Sequence, residues 1–75
     1  MSAPSIVTQA FIVQRYGLRL NIEDMAGLLR LEKQTIYNQI SAGTFPIKTY
    51  QEGTRRYADY RDVAAYLDQM QALAA

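Results

Sequence analysis

Two apolar stripes of helical spacing, separated by a short gap, constrain this chain more than anything else in it. Ile22, Met25, Ala26 and Leu29 fall at i, i+3, i+4 and i+7, one continuous face of a helix from Ile22 to Leu29. Asn21 is placed to cap that helix, and Glu23 and Asp24 suit its positive first turn. Ile36 and Ile40, four apart, make the core side of a second helix predicted over Glu32 to Ser41, with Leu31 plugging the turn and Gly43 closing the end. The opposite face of the second helix carries Lys33, Gln34, Tyr37, Asn38 and Ser41, every one able to hydrogen-bond.

At 75 residues the chain is one small domain, of a size that buries roughly 60% of its unfolded surface. With 49% hydrophobic and 20% charged residues and a mean hydropathy of −0.18, it belongs with globular rather than disordered sequences. It has no cysteine and no histidine, which removes disulfides, thiolate and imidazole metal ligands, Cys nucleophiles and His general bases together. The only acidic pairs, Glu23-Asp24 and Asp59 with Asp62, are explained by helix capping. The expectation is a protein that is not an enzyme and needs no metal or other cofactor. No apolar stretch approaches the eighteen or so residues of a membrane span, and the start lacks a basic region followed by an apolar one. A bacterial cytoplasmic or nucleoid-associated location is expected.

Net charge is only +1, so what matters is where the charges sit. Between Arg30 and Arg61 lie six basic residues (Arg30, Lys33, Lys48, Arg55, Arg56, Arg61) and three acidic ones (Glu32, Glu52, Asp59), a balance of +3. The remainder sums to −2, so the molecule is expected to have a positive face and a mildly negative back.

Elsewhere the local signals are shorter. Ser5 can cap a helix from Ile6 to Tyr16, with Gly17 as a left-handed C-terminal cap, although Phe11-Ile12-Val13 is equally consistent with a strand pairing with Leu18 to Leu20. Leu18, Arg19 and Leu20 alternate like a short strand. Phe45 and Pro46 anchor an exit into an extended segment, Ile47 to Tyr50. A turn-rich tip from Gln51 to Thr54 and a second segment from Arg55 to Ala58 complete a hairpin. Asp59 and Asp62 then cap a last helix in which Val63, Tyr66, Leu67, Met70 and Leu73 recur at helical spacing.

The order of these elements resembles the AlpA and excisionase branch of MerR-like winged helix-turn-helix domains. The matching points are Leu28-Leu29, Thr35-Ile36-Tyr37, Gly43-Thr44-Phe45-Pro46, Arg56-Tyr57, Asp62-Val63 and Ala65-Tyr66-Leu67. They span Leu18 to Leu67, and Phe11 to Gly17 is somewhat similar to the start of PrtN-type phage and pyocin activators. The resemblance implies a mainly α fold with a small β-hairpin wing, a winged helix-turn-helix, over residues 18–67. Residues 1–17 are then a helical N-terminal extension, and 68–75 the end of the last helix. It further implies a prophage or mobile-element transcriptional regulator or excisionase, with an integrase or RNA polymerase as possible protein partners. Where such domains usually read Gly-Val-Ser at the turn, this chain has Arg30, Leu31 and Glu32, and it has Tyr37, Asn38 and Gln39 in place of Tyr-Arg-Trp.

The residues themselves suit double-stranded DNA. Gln34 and Asn38 can each pair bidentately with adenine N6/N7, and Lys33 with guanine or a phosphate, each good base contact deciding about 1 to 3 kcal/mol. Thr35 and Tyr37 are expected on phosphate oxygens. Arg30 in the turn, and Lys48, Thr54, Arg55 and Arg56 in the wing, supply backbone or minor-groove contacts. Alternation puts Arg55 and Arg56 on opposite sides of the strand, and Arg56 is the favoured contact. Tyr66, Met70 and Leu73 continue past the resemblance and are candidates for self-association, as a homodimer or a cooperative multimer on DNA. The alternative is a protein-protein interaction module on the same fold without specific DNA binding, which the low net charge and the acidic Glu32 and Glu52 favour.

Overall fold

Ser5 opens the first helix, its hydroxyl accepting from Val7 N–H at 3.2 Å, and α1 runs Ile6–Tyr16. The computed structural model describes residues 5–74, with β1 at Arg19–Asn21, α2 at Ile22–Leu29, α3 at Lys33–Ala42, β2 at Tyr50–Glu52, β3 at Arg55–Asp59 and α4 at Tyr60–Leu73. The protein is mainly helical with a small antiparallel sheet in the order β1-β3-β2. Among the described residues no helix is long and apolar enough to cross a membrane.

Residues 6–16 are helical and not half of a hairpin. Leu18–Leu20 pairs instead with the far end of the chain, shifted by one residue, so that Arg19, Leu20 and Asn21 face Asp59, Ala58 and Tyr57. A two-stranded wing therefore becomes a three-stranded sheet. β2 begins only at Tyr50, leaving Ile47 to Thr49 outside the strand, and Gln51 and Glu52 belong to the ladder opposite Arg56 and Arg55. The tip is the two residues Gly53 and Thr54, where Gly53 takes a φ of 64° that a two-residue hairpin turn favours.

Helix ends follow local chemistry. Asn21 and Asp24 form a reciprocal capping box at the start of α2, with Asp24 N–H donating to Asn21 Oδ1 at 2.8 Å and Asn21 N–H to Asp24 Oδ2 at 3.2 Å. Asp59 caps α4 by accepting from Arg61 N–H at 2.8 Å. Gly43, at φ 73° and ψ 21°, is the left-handed end of α3, while Gly17 has a positive φ of 91° with an extended ψ of −164° and so does not form a left-handed cap.

Every element except β2 contributes to the core, which comprises Ile12, Leu20, Ile22, Met25, Ile36, Ala58, Val63 and Ala64 together with Ile47 from the segment after α3. Sheet alternation places Leu20 and Ala58 inward and leaves Tyr50 and Tyr57 on the outer face, where their ring centroids lie 6.2 Å apart. Leu31 does not plug the turn; it is 38% exposed. The helices α1 and α4 run antiparallel. Ser5 N–H and Thr8 Oγ1 both donate to the Asp68 carboxylate at one end, and Tyr60 N–H donates to Leu18 O at 3.1 Å at the other. Asp68 thus serves α1 as a carboxylate at its positive N-terminus, supplied from another helix.

Candidate nucleic-acid interface

The turn between α2 and α3 does without the residues that ordinarily make it. Arg30 sits at φ 58° and ψ 43°, the one non-glycine residue of the described chain with a positive φ, and Leu31 N–H closes the turn onto Ala26 O at 3.1 Å. A side chain in this region costs on the order of 1 kcal/mol relative to glycine. Glu32 then occupies the N-cap of α3 in extended conformation but makes no side-chain capping bond. Backbone hydrogen bonding and the burial of Ile36 hold the geometry that propensity does not.

With Ile36 buried and Ile40 half-buried, α3 leaves Lys33, Gln34, Tyr37, Asn38 and Ser41 exposed, as the spacing predicts, while Thr35 is half-buried. Two of these side chains act on each other. Gln34 Nε2 donates to Asn38 Oδ1 at 2.9 Å, one helical turn apart. That bond leaves Asn38 its amide NH₂ and one oxygen lone pair, enough for a bidentate contact, and it fixes which way the Asn38 amide points. Lys33 Nζ lies 3.6 Å from Glu23 Oε1, an exposed pair at the long end of the ion-pair range.

Facing this helix is the hairpin. A groove of about 380 Å³ is lined by Asn21, Ile22 and Glu23 at the start of α2, Tyr37 on α3, and Gln51, Thr54, Arg55 and Arg56 on the hairpin. It brings together Tyr37, Thr54, Arg55 and Arg56 from the sequence expectations, and Lys33 reaches its rim through Glu23. A second, shallower hollow beside it collects Lys48, Thr49 and Arg56 with Ile40 and Gly43. Arg30 lines neither; it stands in the turn before α3.

The cations of the site differ in how they are held. Arg56 is half-buried and donates to Thr49 Oγ1 at 3.0 Å and to Gln51 Oε1 at 3.4 Å, so its guanidinium is positioned by two neutral partners and keeps its full charge. Arg30, Lys48 and Arg55 are exposed, and their side chains have no partner among the described residues. Glu52 does not oppose this charge freely. Its carboxylate accepts from Arg19 at 2.7 Å, which holds it below the usual carboxylate range, while the Arg19 guanidinium lies 3.9 Å from the centre of the Tyr57 ring. Arg61 is likewise committed, to Asp59 at 3.0 Å.

The lining residues that sequence reasoning missed are Asn21, Glu23 and Gln51, and Thr49 as the partner of Arg56. The available signal was Gly53-Thr54: taken as a two-residue turn, it sets Gln51 opposite Arg56 without further information. No protein-family model, curated protein or solved structure matches this chain.

Proposed function

We propose that the protein is a winged helix-turn-helix that binds specific double-stranded DNA, with α3 in the major groove and the β2–β3 hairpin on the adjacent backbone. In this reading α2 and α3 are the two helices of the motif, and the groove between Tyr37 and Arg55 receives a phosphate strand. The observation that carries it is the pairing of an exposed, hydrogen-bonding face on α3 with a hairpin whose Arg55 is free and whose Arg56 is held by neutral groups. Asn38 reads a base, with adenine the natural match, and Gln34 orients it. Lys33 exchanges Glu23 for DNA, a small cost because the pair is exposed and loose. Arg30, Lys48, Arg55 and Tyr37 fix register on phosphates.

By its resemblance to the AlpA and excisionase branch, the protein is proposed to act on prophage or mobile-element DNA, as a transcriptional regulator or as an excisionase. Selection of bound duplexes from a random pool tests the reading. Enrichment of an A-containing site is expected. If about five phosphates are neutralised, log K should fall with log salt at a slope near −4.5. A flat salt response with no enrichment would favour the protein-interaction reading, for which the uncapped carboxylate of Glu32 beside the α3 face is the supporting observation.

A further inference from the structure

Among the described residues, 5–14 and 69–74 carry no charged side chain. The fold brings these two uncharged stretches to one end of the molecule, because the start of α1 is fastened to Asp68 and the end of α4 runs on past it. One side of α1 is spent on the core, with Ile12 buried and Val13 and Tyr16 half-buried. The other side carries Ile6, Val7, Ala10 and Phe11 over the first two turns and the exposed Gln14 after them, and Ile6 and Val7 are 81% and 78% exposed, with Phe11 at 54%. Met70 and Leu73 of α4 add exposures of 39% and 71% at the same end. A helix apolar on both sides has the pattern of one covered on both sides.

We propose that this face binds a second copy of the chain, α1 against α1 about a two-fold axis, with Met70 and Leu73 at its border. A two-fold axis sets each residue near its own counterpart, so a charged face repels itself; here Ile6, Val7, Ala10 and Phe11 bring no charge of their own, and the charges closest to them, Arg15 one turn past Phe11 and Asp68 bonded to Ser5 and Thr8, stand at the edges. With a single cation at its edge, Arg15, it is a poor surface for nucleic acid or anionic lipid. The apolar side chains named leave roughly 600 Å² exposed, most of the roughly 800 Å² that each partner contributes to a standard interface. Tyr66 is half-buried against the core and contributes less than the sequence spacing suggests. The α1 helix packs on α4 and β1, and the exposed face of α3 and the hairpin tip belong to other elements, so two copies joined here keep both of those surfaces free.

Sedimentation equilibrium of the full chain without DNA tests this independently of the DNA reading. The expected mass is twice the 8.5 kDa of one chain. Val7→Asp and Phe11→Asp should each give a monomer with unchanged circular dichroism, since an Asp at 7 lies in the first turn of α1 and one at 11 lies four residues before Arg15, and both placements favour the helix. Leu31→Asp, at an exposed apolar residue in the turn between α2 and α3, should leave the dimer intact. In this cysteine-free chain Ala10→Cys should cross-link to itself on oxidation, and Lys48→Cys should not. A wild-type protein of single-chain mass at its highest soluble concentration, a dimer indifferent to both Asp variants, or an Ala10→Cys protein that stays uncross-linked would each overturn the proposal.

Discussion

The α3–hairpin face and the outer side of α1 are both exposed, yet they are built from opposite materials. The first offers amides, hydroxyls, free cations and one ion pair at the long end of the range; the second offers Ile6, Val7, Ala10 and Phe11, with Arg15 and Asp68 only at its edges. The difference lies in what each helix keeps for the interior. Only Ile36 of α3 is fully buried, with Ile40 partly so, and the remaining face is free to carry polar groups at no cost to packing. In α1 both faces are apolar, so burying Ile12 leaves a second stripe in water. Exposure alone therefore does not identify a functional surface. What each surface can exclude from water, or hydrogen-bond, separates them.

The strongest challenge to this contrast is to remove the single anchors. Ile36→Ala and Ile12→Ala should each cost about 2 to 5 kcal/mol, much of the total stability of so small a domain, read by urea denaturation. An Ile12→Ala cost below about 1 kcal/mol would make α1 an appendage and undo the comparison.

Next come the proposed DNA contacts. Asn38→Ala should lose about 1 to 3 kcal/mol of discrimination at one base position, whereas Arg55→Ala should weaken all duplexes alike and flatten the salt slope by about 0.9. Gln34→Ala should blur the same position as Asn38→Ala, because it frees the Asn38 amide to turn. Equal, unrelated effects of Gln34 and Asn38 on two positions would show that the two amides read independently.

Smaller effects are expected in the turn, and they run the other way. Arg30→Gly should raise stability by about 1 kcal/mol by relieving the left-handed side chain, while weakening DNA binding through the lost cation. Glu32→Ser should add about 0.5 to 1 kcal/mol through a capping bond and tighten DNA binding as well. Opposite signs for binding in these two variants would place Arg30 among the contacts and Glu32 against them.

The smallest effect concerns acid. Glu52 and Asp59 are both held below the usual carboxylate range, by hydrogen bonds from Arg19 and Arg61 respectively. A lowered folded pKa contributes stability that is whole above the unfolded value of about 4 and is lost as pH falls through the folded one. Urea midpoints should therefore fall below about pH 4, and less steeply in Glu52→Gln than in the wild type. The Arg19–Glu52 pair is exposed and Asp59 only half-buried, so the change should be slight.

Much of the helical framework was legible in the chain because caps and 3.6-residue periodicity are local. Ser5, Asn21, Asp59 and Gly43 mark their boundaries within a residue of where the helices end, and the polar face of α3 follows from Ile36 and Ile40 alone. The hairpin was legible as a hairpin, but its register was not, since Ile47 to Thr49 alternate as plausibly as Tyr50 to Glu52 until Gly53-Thr54 is recognised as the turn. Leu31 misled because an apolar residue beside two core stripes suggests burial, and only the direction of the turn decides it.

The sequence by itself determined the last three helices in order, a polar helix face beside a basic hairpin, and the concentration of charge in the middle of the chain, and left residues 6–16 open between helix and strand. Tertiary structure decided that Arg19–Asn21 joins Tyr57–Asp59 as a third strand, and that Asp68 fastens the start of α1. It also decided that Arg56 is held while Arg55 is free, and that Glu52 is answered by Arg19. These are pairings between residues distant in the chain, or choices between two sides of a strand. Neither leaves a local energetic signature, because hydrogen bonds and ion pairs of this kind exist only once the core has brought their partners together.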